Sequence, residues 1–148
     1  MGDRADVDLH IPEAFSKRAK LIAYTTDFSE IVDGISIWTY EDINYGKLPF
    51  LDELEKAGIP FNSCWGSGFE YTSGTDYLRF NAEGEAIRFS NYAGDEDPPM
   101  DSLLDRIDTP DILRAYILEY KARTTPLPWD NQEEYSKLYL AIKLLTAT

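Results

Sequence analysis

Cysteine and histidine are almost absent from this chain. Its 148 residues include one cysteine, Cys64, and one histidine, His10. A lone cysteine cannot form an internal disulfide, which favours a reducing compartment. A single histidine excludes a metal site built from several histidines. We expect His10, close to a chain end that tends to fray, to have no catalytic role.

The sequence also lacks a basic, apolar leader and any long apolar run. The segment before His10 carries Asp3, Asp6 and Asp8, which is the wrong sign of charge for a signal peptide. No run approaches the roughly 20 apolar residues that span a bilayer. We therefore expect a cytoplasmic protein without a membrane partner.

Basic residues are scarce: 14 basic side chains stand against 27 acidic ones, for a net charge of −13. Binding to nucleic-acid phosphates requires a basic patch. The one basic cluster, Lys17-Arg18-Ala19-Lys20, is short and is expected on the solvent side of a helix. These features argue against direct binding of nucleic acid.

Apolar and aromatic residues, in contrast, are plentiful, at 43% and 14% of the chain. A chain of this length buries roughly 70% of its unfolded surface on folding. This composition predicts a single domain, residues 1–148, with one hydrophobic core.

Periodicity in the first third predicts a helix, a strand and a second helix. Apolar residues recur at helical spacing in residues 11–25, and side chains alternate between two faces along Gly34–Tyr40. Pro49–Ala57 again has helical spacing, and Gly58 follows where a left-handed C-terminal cap belongs.

The middle of the chain predicts an antiparallel meander. Its turns are expected at Ser73-Gly74 and Glu83-Gly84, where glycine tolerates positive φ. The strands that these turns separate are predicted at Ile59–Trp65, Phe69–Thr72, Tyr77–Asn81 and Ala86–Tyr92.

The last third predicts two helices after an acidic, proline-containing loop at residues 93–100. Thr109-Pro110 has the form of a helix start, and Asp130 with Glu133 has the form of a capping box. The predicted fold is α+β: an antiparallel sheet of about four or five strands with an N-terminal helix, one crossover helix and a C-terminal helical pair packed on one face. Two apolar stripes are expected to cover the core, Leu113, Tyr116, Ile117 and Tyr120 on the first helix and Tyr135, Leu138, Ile142 and Leu145 on the second.

Cys64 and the glycine-containing turns lack the surroundings that their chemistry would require. The nearest basic residues in sequence to Cys64, Lys56 and Arg79, are remote, so a structural thiol is expected. The turns Gly66-Ser67-Gly68 and Ser73-Gly74-Thr75 have no lysine and no following helix, so neither resembles a phosphate-binding loop.

Carboxylates are the remaining candidates for chemistry. Glu70 and Asp76 flank a predicted turn and would be the pair of a small hydrolase if they lined a cleft. The run Asp95-Glu96-Asp97 lacks the spacing and glycine of a calcium loop, so we expect a solvated loop there. No catalytic residue, metal ligand or cofactor is predicted.

The distribution of charge is the strongest functional signal. Residues 21–46 and 89–105 contain acidic residues and tyrosines but no basic residue. If the two stretches formed one negative face, they would complement a basic protein surface. The predicted binding residues are Asp27, Glu30, Asp33, Tyr40, Glu41, Asp42, Asp95, Glu96, Asp97, Asp101 and Asp105.

We therefore expect a non-catalytic, acidic protein-binding module. Its most specific form would be an inhibitor or decoy that occupies the basic site of a nucleic-acid-binding protein or nuclease. The alternatives are the carboxylate-dependent hydrolase and a structural or assembly subunit, which would require a large exposed apolar patch.

Overall fold

The computed structural model describes residues 4–67 and 72–147. It confirms the α+β class, with one antiparallel sheet of six strands and with five helices. The strands are β1 Arg4–Pro12, β2 Phe28–Val32, β3 Ile35–Asn44, β4 Phe61–Trp65, β5 Gly74–Phe80 and β6 Ala86–Tyr92. The helices are α1 Glu13–Ala19, α2 Leu51–Lys56, α3 Met100–Leu104, α4 Pro110–Thr124 and α5 Gln132–Thr146.

Strand β1, which contains His10, is an interior strand of the sheet, so the expectation that the segment around His10 frays is wrong. The strand order is β2-β3-β1-β4-β5-β6, and β1 pairs with both β3 and β4. Alternate residues of β1, Ala5 to Ile11, are buried, while most of the polar residues between them are exposed. Because β1 continues to Pro12, the first helix begins later than predicted and ends earlier, at Ala19.

The hydrophobic core lies on one face of the sheet, between that face and the helices. Cross-strand partners share a face, so the pairs Leu9–Ser63 and Phe61–Leu78 identify the core face. Phe15 of α1, Leu54 of α2 and Tyr139 of α5 pack against that face. The buried residues that form the core include Val7, Leu9, Ile11, Ile59, Phe61, Leu78 and Phe80.

Strand β2 is an edge strand that the sequence analysis did not predict. All of its residues are exposed, including Phe28 and Ile31, which are 63% and 60% exposed. Glu30 stands at its centre. The core therefore does not hold β2 in place, and its backbone pairing with β3 does.

The meander is confirmed at one turn and corrected at the other. Gly84, at φ +76°, lies in the turn between β5 and β6 as predicted. Ser73-Gly74 is not a hairpin turn, because Gly74 already belongs to β5 and pairs with Trp65 and Tyr92. The strand predicted at 69–72 lies outside the described residues except for Thr72, which belongs to no strand.

The two long C-terminal helices occupy the predicted segments, but their packing differs from the prediction. Helix α4 has no buried residue. Helix α5 buries Gln132 and Ser136, whereas Leu138 and Ile142 of the predicted stripe are each 39% exposed. Of the predicted stripe, Tyr135 packs against the core and Leu145 is 76% exposed, so the stripe provides only part of the buried side of this helix.

The helix starts also differ in detail. Thr109 precedes Pro110 as predicted, but its side chain makes no capping hydrogen bond. The residue before α5 is Asn131, in the left-handed region at φ 63°, and not Asp130. The predicted capping box is therefore wrong.

Gln132 attaches α5 to the sheet through a pair of hydrogen bonds. Its side-chain amide nitrogen donates to the Phe80 carbonyl at 2.8 Å, and its amide oxygen accepts from the Phe80 N–H at 2.8 Å. The ladder between β4 and β5 ends at Leu78, so these backbone groups have no partner in β4. The Gln132 amide thus replaces a strand residue.

We predict that Gln132→Ala lowers the free energy of unfolding by about 2–4 kcal/mol, because two buried backbone groups lose their partners. The measurement is urea unfolding, and Glu133→Ala, an exposed neighbour, is the matched control. Equal unfolding of the two variants would show that the Phe80 contact does not hold α5.

Candidate functional site

The first acidic stretch follows the hairpin of β2 and β3. Asp27 precedes β2, and its carboxylate accepts the Glu41 N–H at 2.8 Å. Asp33 lies in the turn between the strands, at the other end of the hairpin from Glu41 and Asp42. Glu30 lies between them on β2, so these carboxylates are spread along the whole hairpin.

The second acidic stretch lies beyond the opposite edge of the sheet. Asp95, Glu96 and Asp97 follow β6, Asp101 lies in α3, and Asp105 follows α3. Strands β2 and β6 are the two edges, five strand intervals apart. At about 4.8 Å per interval this separation is roughly 24 Å. The first stretch therefore begins at one edge strand of the sheet, and the second follows the other.

Tyr40, one of the predicted binding residues, lies in the core and is 4% exposed. Its hydroxyl donates to the Tyr24 carbonyl at 2.8 Å, and its ring contacts Phe50. Burial, helped by the nearby charge of Asp27, raises the pKa of Tyr40 to about 12. Tyr40 is thus a structural residue, which corrects its assignment as a surface contact.

The surface that carries the second acidic stretch is also strongly apolar. Neither α3 nor α4 buries a residue. We call this surface the α3–α4 face and define it by its large apolar side chains, each at least 40% exposed: Met100, Leu104, Ile107, Ile112, Ile117 and Leu118. A groove of about 430 Å³ runs between Ile107 and Leu118.

Polar contacts hold the α3–α4 face to the rest of the chain. The Tyr120 hydroxyl donates to the Asp95 carbonyl at 2.8 Å, and the Asn91 side-chain amide donates to the Thr124 carbonyl. Within the segment, the Arg106 guanidinium lies 4.0 Å from the centre of the Tyr116 ring. Since these contacts do not use Ile112 or Leu118, the apolar side chains remain directed to solvent.

A second concave site opens on the core face, at the end of the sheet where β4 and β6 finish. We call it the aromatic pocket; it has a volume of about 500 Å³ and is bordered by Trp65 and Tyr92. Their ring centres are 5.9 Å apart in an edge-to-face arrangement. Asp76 and Asp52 also line it.

Asp52 in this pocket forms an ion pair within the protein. The Arg88 guanidinium lies 2.7 Å from it, donates a hydrogen bond to it and lowers the pKa of Asp52. A general acid needs the opposite shift. Of the predicted hydrolase pair, Asp76 lies on β5, and Glu70 falls outside the described residues.

A larger groove, of about 720 Å³, lies between α1 and β2. Lys17, Lys20, Glu13 and Glu30 all line it. The charged side chains that line this groove are thus two acids and two bases.

His10 and Cys64 lie on adjacent strands, on the face opposite the core. Burial lowers the pKa of His10, and Arg79 acts in the same direction against Asp8. Burial raises the pKa of the Cys64 thiol, partly offset by a hydrogen bond with Thr75. Within the described part of the chain, no three His, Cys, Asp or Glu side chains cluster in a way that could hold a metal ion.

Comparisons with protein-family models, with curated proteins and with solved structures give no match. No helix among the described residues has the length and apolarity to cross a membrane. The functional argument therefore rests on the geometry of the two surfaces described above.

Sequence reasoning missed the apolar half of the α3–α4 face and the aromatic pocket. Helix α4 carries apolar residues on more than one side, with Ile112 and Leu118 beside the predicted stripe, and this excess was visible in the sequence. The pocket had no such signal, since Trp65 and Tyr92 meet only through the pairing of each with Gly74.

We predict that Cys64 in the native protein reacts with iodoacetamide at pH 8 at least about tenfold more slowly than in the denatured chain. The raised pKa leaves less thiolate at this pH, and the native rate should increase as pH rises past 9, the ordinary value for a thiol. The chain in concentrated guanidinium is the control. Equal native and denatured rates would mean that the thiol is accessible and unshifted.

Proposed function

We propose that this protein is a non-catalytic protein-binding module that docks a basic partner on its α3–α4 face. The observation that carries the proposal is a fifteen-residue helix, α4, without a buried residue. An isolated helix of this length is marginally stable in water. Ile107, Leu113, Ile117 and Leu118 line one groove on this surface, and exposed apolar surface of this kind typically marks a contact with another protein.

The charge of the segment around the face supports a basic partner. Residues 95–111 include seven acids, Asp95, Glu96, Asp97, Asp101, Asp105, Asp108 and Asp111. Arg106 is the one base in that interval, and its guanidinium is stacked on Tyr116. Arg114 lines the groove itself, so the acidic side chains flank the groove along the chain and do not line it. An apolar strip with acidic borders complements an apolar strip flanked by lysine or arginine.

A second copy of this chain is a poor occupant for the same face. Each copy carries a net charge of −13, and a symmetric contact would bring the two acidic borders together. Like charges at an interface cost several kcal/mol. We therefore assign the face to a different, basic protein; a partner whose basic groove also receives nucleic acid would be the decoy form of this function.

We predict that a helical peptide of alternating leucine and lysine blocks binds the wild type, and that Ile117→Ser with Leu118→Ser weakens this binding about tenfold or more. Fluorescence anisotropy of the labelled peptide gives the dissociation constants. Leu21→Ser, which changes a side chain that is 87% exposed on a different segment, is the matched control.

A lysine–serine peptide of equal charge separates apolar docking from simple attraction to an acidic protein. It should bind all three proteins weakly and alike, with strong dependence on salt. The proposal fails if the leucine–lysine peptide binds every variant equally. It fails also if light scattering shows that the wild type dimerises and that the serine variant does not, because the face would then be occupied by a second copy.

A further inference from the structure

The aromatic pocket is built around a tryptophan whose position is fixed. The Trp65 indole N–H donates to the Thr72 carbonyl at 3.0 Å. A Cβ added at Gly46 would lie 2.6 Å from the Trp65 Cβ, and one at Gly74 would lie 2.7 Å from its Cζ2. Both contacts are too close for any other residue, so the two glycines leave the space that this indole occupies.

Asp76 supplies a negative charge beside the rings. It shares their face of the sheet, since Asp76 pairs with Ser90 and Gly74 pairs with Tyr92. The Ser90 hydroxyl donates to the Asp76 carboxylate. In the described residues no cation lies within 4 Å of this carboxylate.

The nearby basic groups do not neutralise Asp76. Arg88 is occupied by Asp52 at 2.7 Å and by Glu55 at 3.3 Å. Lys47 lines the pocket but is exposed and makes no ion pair in the described part of the chain. The pocket therefore combines aromatic rings with a carboxylate that has no cationic partner of its own.

A buried hydroxyl stands next to this carboxylate. Ser63 pairs directly with Asp76 across β4 and β5 and is 1% exposed. Within the described residues its Oγ has no hydrogen-bond partner. Buried hydroxyls are normally satisfied, so this unpaired Oγ is an unusual feature of the floor of the sheet beside Asp76, although Ser63 itself does not line the pocket.

We propose that the aromatic pocket binds an organic cation, an alkylammonium or guanidinium group. The cation contacts the faces of Trp65 and Tyr92, which attract positive charge, and pairs with the Asp76 carboxylate. An anion would be repelled by Asp76, and a neutral sugar would leave its charge unpaired. This site is separate from the α3–α4 face, so it stands or falls independently of the proposed function.

The test is a titration of ¹⁵N-labelled protein followed at the indole N–H resonance of Trp65, which Trp65→Phe assigns. The probes are choline, a capped Gly-Lys-Gly peptide, a capped Gly-Arg-Gly peptide, and 3,3-dimethylbutan-1-ol, the neutral isostere of choline. We expect the cations to shift the resonance with saturation and the isostere to leave it unchanged. Tighter binding of choline than of the peptides would indicate a free metabolite, and the reverse order a side chain of another protein.

Paired variants isolate the two contacts. Asp76→Asn should weaken cation binding about tenfold, as expected for loss of a charged partner. Tyr92→Leu should weaken it also, while Tyr92→Phe should retain it. Glu133→Gln, at an exposed carboxylate on α5, changes the net charge equally and should have no effect.

Several results would overturn the proposal. These are equal binding of the isostere, equal loss in Glu133→Gln and Asp76→Asn, a saturable shift with maltose or cellobiose but not with cations, and no shift at tens of millimolar probe. If Asp76→Asn fails to fold, the comparison of Tyr92→Leu with Tyr92→Phe still decides between the outcomes. None of these probes tests the α3–α4 face, whose variants should bind choline normally.

Discussion

The attachment of the C-terminal third to the sheet depends on the buried guanidinium of Arg79. Arg79 is 3% exposed, donates to the carbonyls of Leu127, Phe61 and Leu78, and lies 3.4 Å from the centre of the Trp129 ring. Burial lowers its pKa to about 10, so it remains charged at neutral pH. Carbonyl dipoles and a π face thus stabilise this cation, and the segment between α4 and α5 follows the path they impose.

Local chemistry made some elements predictable from the sequence and left others out of reach. Gly84 and Pro110 were predicted correctly because a turn needs positive φ and a helix start tolerates a missing N–H. The alternation in β1 was equally legible, but the position of the segment near the chain end suggested that it frays. The burial of Gln132 could not be predicted, since it depends on the pairing of β4 with β5, which stops at Leu78 and leaves Phe80 without a partner in β4.

The candidate site, too, could be predicted only in part. Charge patterning correctly marked Asp95 to Asp105 as a strongly acidic surface segment. It could not show that Asp27 to Asp42 lies at the other edge, because that separation follows from strand order. The aromatic pocket could not be predicted from the sequence, since Trp65, Asp76 and Tyr92 come from three strands and meet only in the folded sheet.

Strand β2 has features of an aggregation-prone edge: it is exposed, and its residues include the apolar Phe28, Ile31 and Val32. Two copies that extended their sheets through this edge in antiparallel register, centred on the strand, would place Glu30 directly opposite its own copy. Two facing carboxylates repel each other across such a pair. One acidic side chain at the centre of the strand thereby disfavours the pairing of two copies through this edge.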